Sequence, residues 1–185
     1  MDFICENSDI IGCSFVKTPE DILMCLDEIT SRLPEEKRGK MPLMSKIETA
    51  KGIKNLPEII VAASGKNPFS VMIARGDLAV ESGYMRLAEL QQEILWICEA
   101  SNTPVVWATQ VLDNMARSGI PTRAEVTDAA EGGARAECVM LNKGENIVET
   151  VKFLDKLLEK MERNQYKKAA RLRALNLARG VSLDD

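Results

Sequence analysis

The sequence contains no histidine, which removes the side chain most often used for acid–base chemistry near neutral pH and the commonest metal ligand. Any chemistry therefore has to come from lysine, carboxylates, hydroxyls or a metal held by oxygen. The five cysteines form no C-x-x-C pair, and neither a leader sequence nor an apolar run of about 18 residues is present. These absences predict a cytoplasmic protein with reduced thiols and no contact with a membrane.

The 185 residues, 45% hydrophobic and 28% charged, fall in the range of an ordinary globular domain. The net charge of -4 is unevenly distributed, because residues 152–185 carry nine Lys and Arg against five Asp and Glu. A basic tail can indicate a nucleic-acid or membrane surface, but here acidic residues are interspersed, as on a solvated helix face. We expect a main domain at 1–160, a helical basic tail at 161–185, and no nucleic-acid partner.

Short apolar, partly β-branched runs predict five buried strands, whose starts are spaced by roughly 30 residues. They are IIGCSFV (10–16), PLMSKI (42–47), SVMIA (70–74), PVVWA (104–108) and CVMLN (138–142). Helical patterns separate them: one begins at Thr18-Pro19, one follows Glu48, one starts near Tyr84, and one runs from Pro121 to the Gly132-Gly133 pair. VLDNMARSGI is expected to be a loop or short helix, and a long C-terminal helix to start near Asn146.

Alternation of strands and helices predicts an α/β fold with parallel strands and right-handed crossovers. In such folds the functional groups lie at the C-terminal ends of the strands. The second predicted strand ends in SKIE, where a period of two sends Lys46 and Glu48 to the same side. Taken alone, the pair is equally compatible with a simple salt bridge and with a site.

The third and fourth strands also end in polar groups. In ARGDL, Gly76 allows a backbone N–H to approach a ligand closely, and Asp77 offers a hard oxygen ligand. In ATQVL, Thr109 offers a hydroxyl at the equivalent position. Together these residues supply a cation, two carboxylates and a hydroxyl, which suit an oxygen-bound divalent metal and an enolate or phosphoryl oxygen.

In order and spacing, SKIE, MIARGDLAVE, PVVWATQVLDNM and PTRAEVTDAA resemble the second half of the pyruvate kinase catalytic barrel, over about residues 8–160. The resemblance implies a partial TIM (β/α)8-type barrel of about five parallel βα units. It makes Lys46 the lysine that stabilises the transferring phosphoryl group and the enolate. It also makes Glu48 and Asp77 the ligands of Mg²⁺ or Mn²⁺, and Gly76, Asp77 and Thr109 the binding residues for phosphoenolpyruvate or pyruvate.

The motifs align with the fourth to eighth strands of that barrel, so its first three strands, lid domain and C-terminal regulatory domain have no counterpart here. The arginine and asparagine for phosphate and a monovalent cation, and most of the nucleotide pocket, belong to those missing parts. The resemblance therefore identifies no monovalent-cation site and leaves ADP or ATP binding in doubt. At the last strand LNKGEN (141–146) replaces the family's usual LSGET. Unpaired edge strands predict a homo-oligomer or a partner chain.

Three functions remain open from the sequence. The chain is part of a pyruvate kinase, weak or inactive alone and active in phosphoryl transfer to ADP when another chain supplies the missing strands. Alternatively it is a non-catalytic sensor or regulatory remnant that binds a metal and an enolate. A metal-dependent pyruvate aldolase or lyase is the third reading, which the absence of an imidazole base disfavours. The chain is either naturally short or an expressed piece of a longer protein.

Overall fold

The computed structural model describes residues 1–164 and contains a five-stranded sheet with the strands in chain order. Adjacent strands pair in parallel from the first to the fourth. Every strand overlaps its predicted run, which confirms the α/β architecture. The strands are β1 (Ile11–Cys13), β2 (Leu43–Ile47), β3 (Phe69–Ala74), β4 (Val105–Val111) and β5 (Cys138–Leu141).

The register of the sheet brings the ends of the three central strands to the same edge. Lys46 on β2 lies opposite Met72 on β3, and Ala74 at the end of β3 lies opposite Ala108 on β4. Residues that follow these positions therefore meet at the carboxyl edge of the sheet. Three of the motifs singled out in the sequence, SKIE, ARGDL and ATQ, reach this edge.

The chain divides into two compact units, and the first, Met1–Gln110 with Ala136–Met140, contains most of the sheet. In it, β1 and the start of β2 pack against two helices through a core that includes Ile22, Ile29, Leu43 and Ile59, each under 2% exposed. Burying each of these side chains stabilises the fold by about 1.5–3 kcal/mol. The helices of this unit are α1 (Asp2–Asn7), α2 (Pro19–Arg32), α3 (Ala50–Lys54), α4 (Leu56–Ala63), α5 (Arg75–Ser82) and α6 (Tyr84–Ala100). A short 3₁₀ helix spans Glu35–Lys37.

Helix α2 begins where the Thr18-Pro19 signal predicts. The Thr18 hydroxyl accepts the backbone N–H of Asp21, and the Asp21 carboxylate accepts the backbone N–H groups of Thr18 and Lys17. This reciprocal capping satisfies donors that the first helical turn leaves unpaired. The same contacts lower the pKa of Asp21, chiefly through the Lys17 N–H.

The structure differs from the sequence-based expectation at three places in this unit. The helical stretch after Glu48 is broken into α3 and α4 at Asn55, whose side chain donates to the Lys17 carbonyl at 2.8 Å. The ARGDL motif, expected only as a strand end, opens helix α5 at Arg75. Helix α1 was not anticipated at all.

The second unit contains α7 (Asp113–Ser118), α8 (Arg123–Arg135) and α9 (Ile147–Asn164). The VLDNMARSGI segment is thus a short helix. Helices α8 and α9 approach closely at Gly133, where an added Cβ would lie 2.0 Å from a Leu158 methyl carbon. A side chain at residue 133 would therefore require the Leu158 side chain to move.

Helix α8 begins at Arg123 rather than at Pro121, so the predicted start was two residues early. The Thr122 hydroxyl accepts the Glu125 N–H, while the Glu125 carboxylate accepts the Thr122 N–H. This capping box sets the helix start just after Thr122.

The long C-terminal helix is confirmed as α9 up to Asn164. Most of the predicted tail, from residue 165 to 185, lies outside the described residues, and the proposed domain limit at residue 160 stays a prediction. Within residues 1–164, no helix combines the length and the apolar character needed to cross a membrane.

Candidate functional site

The Lys46–Glu48 pair at the end of β2 is formed as the alternation of the strand predicts. Lys46 Nζ lies 2.7 Å from Glu48 Oε1 and donates to Ser14 Oγ at 3.0 Å. The Glu48 side chain is 1% exposed, whereas that of Lys46 is 29% exposed. A buried carboxylate is thus paired with a lysine side chain that stays partly exposed.

The loop after β1 holds the second oxygen of this carboxylate. Glu48 Oε2 accepts the backbone N–H of Phe15, a residue whose φ of 55° lies in the left-handed region. Such a backbone conformation costs on the order of 1 kcal/mol or more for a residue with a side chain. The fold therefore retains a strained turn at the point where it anchors Glu48.

Ser14 and Phe15 were not among the residues selected from the sequence. They lie 32 and 33 positions from their partners, so no local pattern links them to Lys46 and Glu48. Ser14 nevertheless directly follows β1 and reaches the same carboxyl edge of the sheet. The sequence missed Ser14 because the predicted run extends to Val16, whereas β1 ends at Cys13.

Helix α3 packs its N-terminal turn against the same loop. The Thr49 hydroxyl accepts the Gly52 N–H at 3.0 Å, and Glu81 Oε1 accepts the Ala50 N–H at 3.2 Å. An added Cβ on Gly52 would lie 2.7 Å from the Val16 carbonyl oxygen. The glycine of SKIETAKG is therefore needed for close contact between α3 and the loop that carries Phe15.

Arg75 joins the end of β3 to the end of β4. Its guanidinium group donates to the carbonyl oxygens of Ala108 and Thr109, both at 2.8 Å, and lies 4.5 Å from the centroid of the Trp107 ring. Arg75 is only 9% exposed, so the charge is compensated by these carbonyls and by the ring face. Arg75 was not among the site residues selected from the sequence, and the structure makes it a buried brace between the two strand ends.

The brace supports an unusual backbone at Thr109. Thr109 and Gln110 have φ values of 68° and 57°, in the left-handed region that residues with a Cβ rarely adopt. The Thr109 hydroxyl accepts the Gly76 N–H at 2.9 Å. Two predicted substrate-binding residues are thus in contact, and each satisfies the polar group of the other. Strain held in place by surrounding contacts is frequent at functional sites.

Asp77 is exposed in the first turn of α5, next to Gly76. Among residues 1–164, no group of three or more acidic or cysteine side chains is placed to hold a metal on its own. Glu48 and Asp77 would supply two oxygen ligands from neighbouring strand ends. Mg²⁺ commonly binds through one or two carboxylates and keeps several waters or substrate oxygens, so two carboxylates match the type of donor that the ion prefers.

In the second unit, the segment that replaces LSGET is held by Asn142. Its side-chain amide donates to Asp113 Oδ1 at 2.6 Å, and the same oxygen lies 3.2 Å from Arg117 Nε. Gly144 lies against α7, where an added Cβ would come within 2.2 Å of the Ala116 carbonyl oxygen. Asn142 therefore links this segment to Asp113 at the start of α7, and Lys143 is exposed.

With this geometry established, comparison with known proteins gives a direct match. The family model described as "Pyruvate kinase, barrel domain" matches residues 3–150. The chain belongs to the pyruvate kinase barrel-domain family. Its sheet and helices are accordingly five successive βα units of that domain, as the fold class predicted.

Individual pyruvate kinases agree with the family match. The chain is 37% identical to the enzyme of Thermotoga maritima over 161 residues, which are 84% of this chain and 32% of that protein. It is 35% identical to the Dictyostelium discoideum enzyme, covering 85% of this chain and 30% of that protein. A crystal structure of a pyruvate kinase from Cryptosporidium parvum superimposes with a TM-score of 0.76 at 29% identity, covering 89% of this chain and 34% of that one.

The chain therefore spans about a third of the length of these relatives. Most of the residues in a pyruvate kinase lie outside it. Family membership therefore applies to the part of the barrel domain that this chain contains. The roles of individual residues are proposals.

Proposed function

We propose that this chain carries the divalent-metal and enolate half-site of a pyruvate kinase. Completed by the remaining strands of the barrel, it would take part in phosphoryl transfer from phosphoenolpyruvate to ADP. In that reaction the bond between the enol oxygen and phosphorus breaks, and a bond from phosphorus to a terminal phosphate oxygen of ADP forms. Negative charge develops on the enol oxygen, and a positioned cation lowers the barrier.

Lys46 is the proposed catalytic cation. Its ammonium group is held on one side by Glu48 and Ser14, while 29% of the side chain stays exposed. A ligand oxygen can therefore approach Nζ without displacing the buried carboxylate. This partly exposed Lys–Glu pair, anchored by the loop after β1, is the observation that carries the proposal.

Gly76 and Thr109 form the proposed contact for the substrate carboxylate. The Gly76 N–H donates to the Thr109 hydroxyl. A carboxylate at this edge would accept from both groups, so one internal hydrogen bond is exchanged for two to the ligand. The Arg75 brace keeps both groups in place, which limits the conformational entropy lost on binding.

Glu48 and Asp77 are the proposed ligands of Mg²⁺ or Mn²⁺. A carboxylate has about four lone-pair sites, so Glu48 can retain Lys46 and Phe15 and still accept a metal. When bound, the ion would act as a Lewis acid on the enolate oxygen. Ser14 would hold Lys46 beside it.

Calorimetry with MnCl₂ and oxalate, an enolate mimic, tests the half-site directly. We expect oxalate to bind in the presence of Mn²⁺, and Glu48→Gln and Asp77→Asn each to weaken that binding at least tenfold. Asp27→Asn, which neutralises an exposed carboxylate on α2, is the matched control and should bind like the parent. Equal binding by all four proteins would refute the proposal.

Turnover separates a complete enzyme from a binding module. Because the chain spans about a third of its relatives, a module that binds metal and enolate without turnover is the second candidate. A coupled assay for pyruvate, run with the chain alone and with a second polypeptide that carries the first three strands, distinguishes them. Activity only in the mixture supports the kinase half-site, whereas oxalate binding without activity in either sample supports the module.

The sheet edges point to a partner chain or a second copy. β1 and β5 stand at the two ends of the strand order and each has a single neighbour among the described strands. Unpaired strand edges offer backbone donors and acceptors to another chain. Light scattering coupled to size-exclusion chromatography should show assembly that increases with protein concentration, and a monomer across the whole range would contradict this expectation.

A further inference from the structure

Glu81 joins the two segments that carry the proposed metal ligands. It lies in the last turn of α5, whose first turn contains Asp77. Its Oε1 accepts the backbone N–H of Ala50, the first residue of α3, at 3.2 Å. Ala50 follows Glu48 by two positions. One side chain thus links the helix that holds one carboxylate to the segment that holds the other.

The start of α3 offers Glu81 a fixed anchor. The Thr49 hydroxyl caps this turn by accepting the Gly52 N–H, and the space between Gly52 and the Val16 carbonyl is too small for a Cβ. The first turn of a helix leaves backbone N–H groups without a partner inside the helix, and Glu81 accepts one of them. The segment after Glu48 is therefore held by its own contacts before Glu81 is considered.

Helix α5 is held at both of its ends by different partners. At its start, the Gly76 N–H donates to the Thr109 hydroxyl at 2.9 Å. At its end, Glu81 bonds to α3, and Leu78 between them is 0% exposed. Because residues four apart lie on the same face of a helix, Asp77 and Glu81 share the face that is turned towards the start of α3. Holding Glu81 therefore also limits the rotation of α5 that would move Asp77 away from Glu48.

We propose that Glu81 is a positioning residue that sets the separation of Glu48 and Asp77 for a divalent cation. The inference rests on the proposed function, because it requires these two carboxylates to share one ion. Removing a group that orients metal ligands commonly weakens metal binding by about 10- to 100-fold. Burial of Leu78 keeps α5 on the core without Glu81, so the expected loss lies at the lower end of this range.

Titration with MnCl₂ alone, followed by the electron paramagnetic resonance of the free ion, tests this role on the whole chain. Glu81→Ala should weaken Mn²⁺ binding about tenfold. Glu81→Gln should stay within about twofold of the parent, because its amide oxygen can still accept the Ala50 N–H. Glu58→Ala, which removes an exposed carboxylate from α4, is the matched control and should bind Mn²⁺ like the parent.

A readout without metal follows the contact itself. The Ala50 amide proton should shift upfield in the NMR spectrum of Glu81→Ala, which loses the hydrogen bond, and keep its parent position in Glu81→Gln. Thermal melting verifies that each variant is folded at the temperature of the titration. Glu81→Asp, whose side chain is one methylene shorter, replaces Glu81→Ala in both measurements if that variant does not fold.

The outcomes separate this inference from the proposed metal site. Mn²⁺ binding that is unchanged in Glu81→Ala would overturn the role of Glu81 and leave the metal site standing, whereas a parent protein that does not bind Mn²⁺ would refute both. Equal weakening by Glu81→Ala and Glu81→Gln would show that the charge of Glu81 matters and not its contact with Ala50, which also overturns a positioning role. Weaker binding by Glu81→Ala with rescue by Glu81→Gln supports it.

Discussion

Removing Lys46 should destabilise the protein more than neutralising Glu48, although both changes should abolish the proposed function. Lys46→Met leaves the Glu48 carboxylate, 1% exposed, without its cation. Breaking a buried ion pair from one side costs about 3–5 kcal/mol, and the 29% exposure of Lys46 reduces this to about 2–3 kcal/mol. The remaining Phe15 N–H donates a hydrogen bond to one carboxylate oxygen but does not neutralise the negative charge.

Glu48→Gln leaves no unpaired charge buried at the site. The amide oxygen can still accept the Phe15 N–H, and the Lys46 ammonium keeps Ser14 and its access to water. Only the ion pair is lost, so we expect a loss of about 1 kcal/mol. The double variant should be more stable than Lys46→Met, because no uncompensated carboxylate stays buried.

Urea unfolding monitored by tryptophan fluorescence measures this difference in the relevant part of the molecule. Both tryptophans, Trp96 and Trp107, lie in the first compact unit, which also contains Lys46 and Glu48. The order expected for the free energy of unfolding is parent, then Glu48→Gln, then Lys46→Met. Equal losses, or a larger loss for Glu48→Gln, would refute the reasoning from burial.

Two further changes test the packing and the helix cap. Gly52→Ala should lower the free energy of unfolding by about 1–3 kcal/mol, because the added Cβ would press on the Val16 carbonyl. Gly76→Ala is the control, since its Cβ would meet Thr109 at 3.7 Å, an ordinary contact distance. In the same urea experiment it should leave the free energy of unfolding within about 0.5 kcal/mol of the parent value. Asp21→Ala should cost about 1 kcal/mol at pH 7 by removing the α2 cap. The pKa of Asp21 is lowered in the folded state, so its contribution is present above the ordinary aspartate pKa and is lost as the pH falls through the lowered value. Parent and Asp21→Ala should therefore converge in acid, and a difference that stays constant between pH 7 and pH 2 would contradict the cap.

The elements were predictable wherever one local signal dominated. Apolar runs bounded by turn residues located all five strands, and the Thr18-Pro19 pair located the start of α2. One error arose where a side chain makes a contact that the local pattern does not contain, because Asn55 breaks the helix after Glu48 by bonding to Lys17. The start of α8 was instead a local signal that was missed, since Thr122 and Glu125 form a T-x-x-E capping box.

For the candidate site, the sequence by itself determined which chemical groups stand at the strand ends. Alternation along β2 placed Lys46 and Glu48 on one side, and the order of motifs indicated the pyruvate kinase family. These results follow from the period of a strand and from residue identity, both of which are local.

Tertiary structure alone decided how those groups are held. Ser14 and Phe15 reach Lys46 and Glu48 from 32 and 33 positions away, and Arg75 braces Thr109 from 34 positions away. Such contacts depend on strand register and on the packing of helices over the sheet. The sequence thus identified the candidate site residues, and the fold decided that Glu48 is buried, that Lys46 stays partly exposed, and that the Gly76 N–H meets the Thr109 hydroxyl.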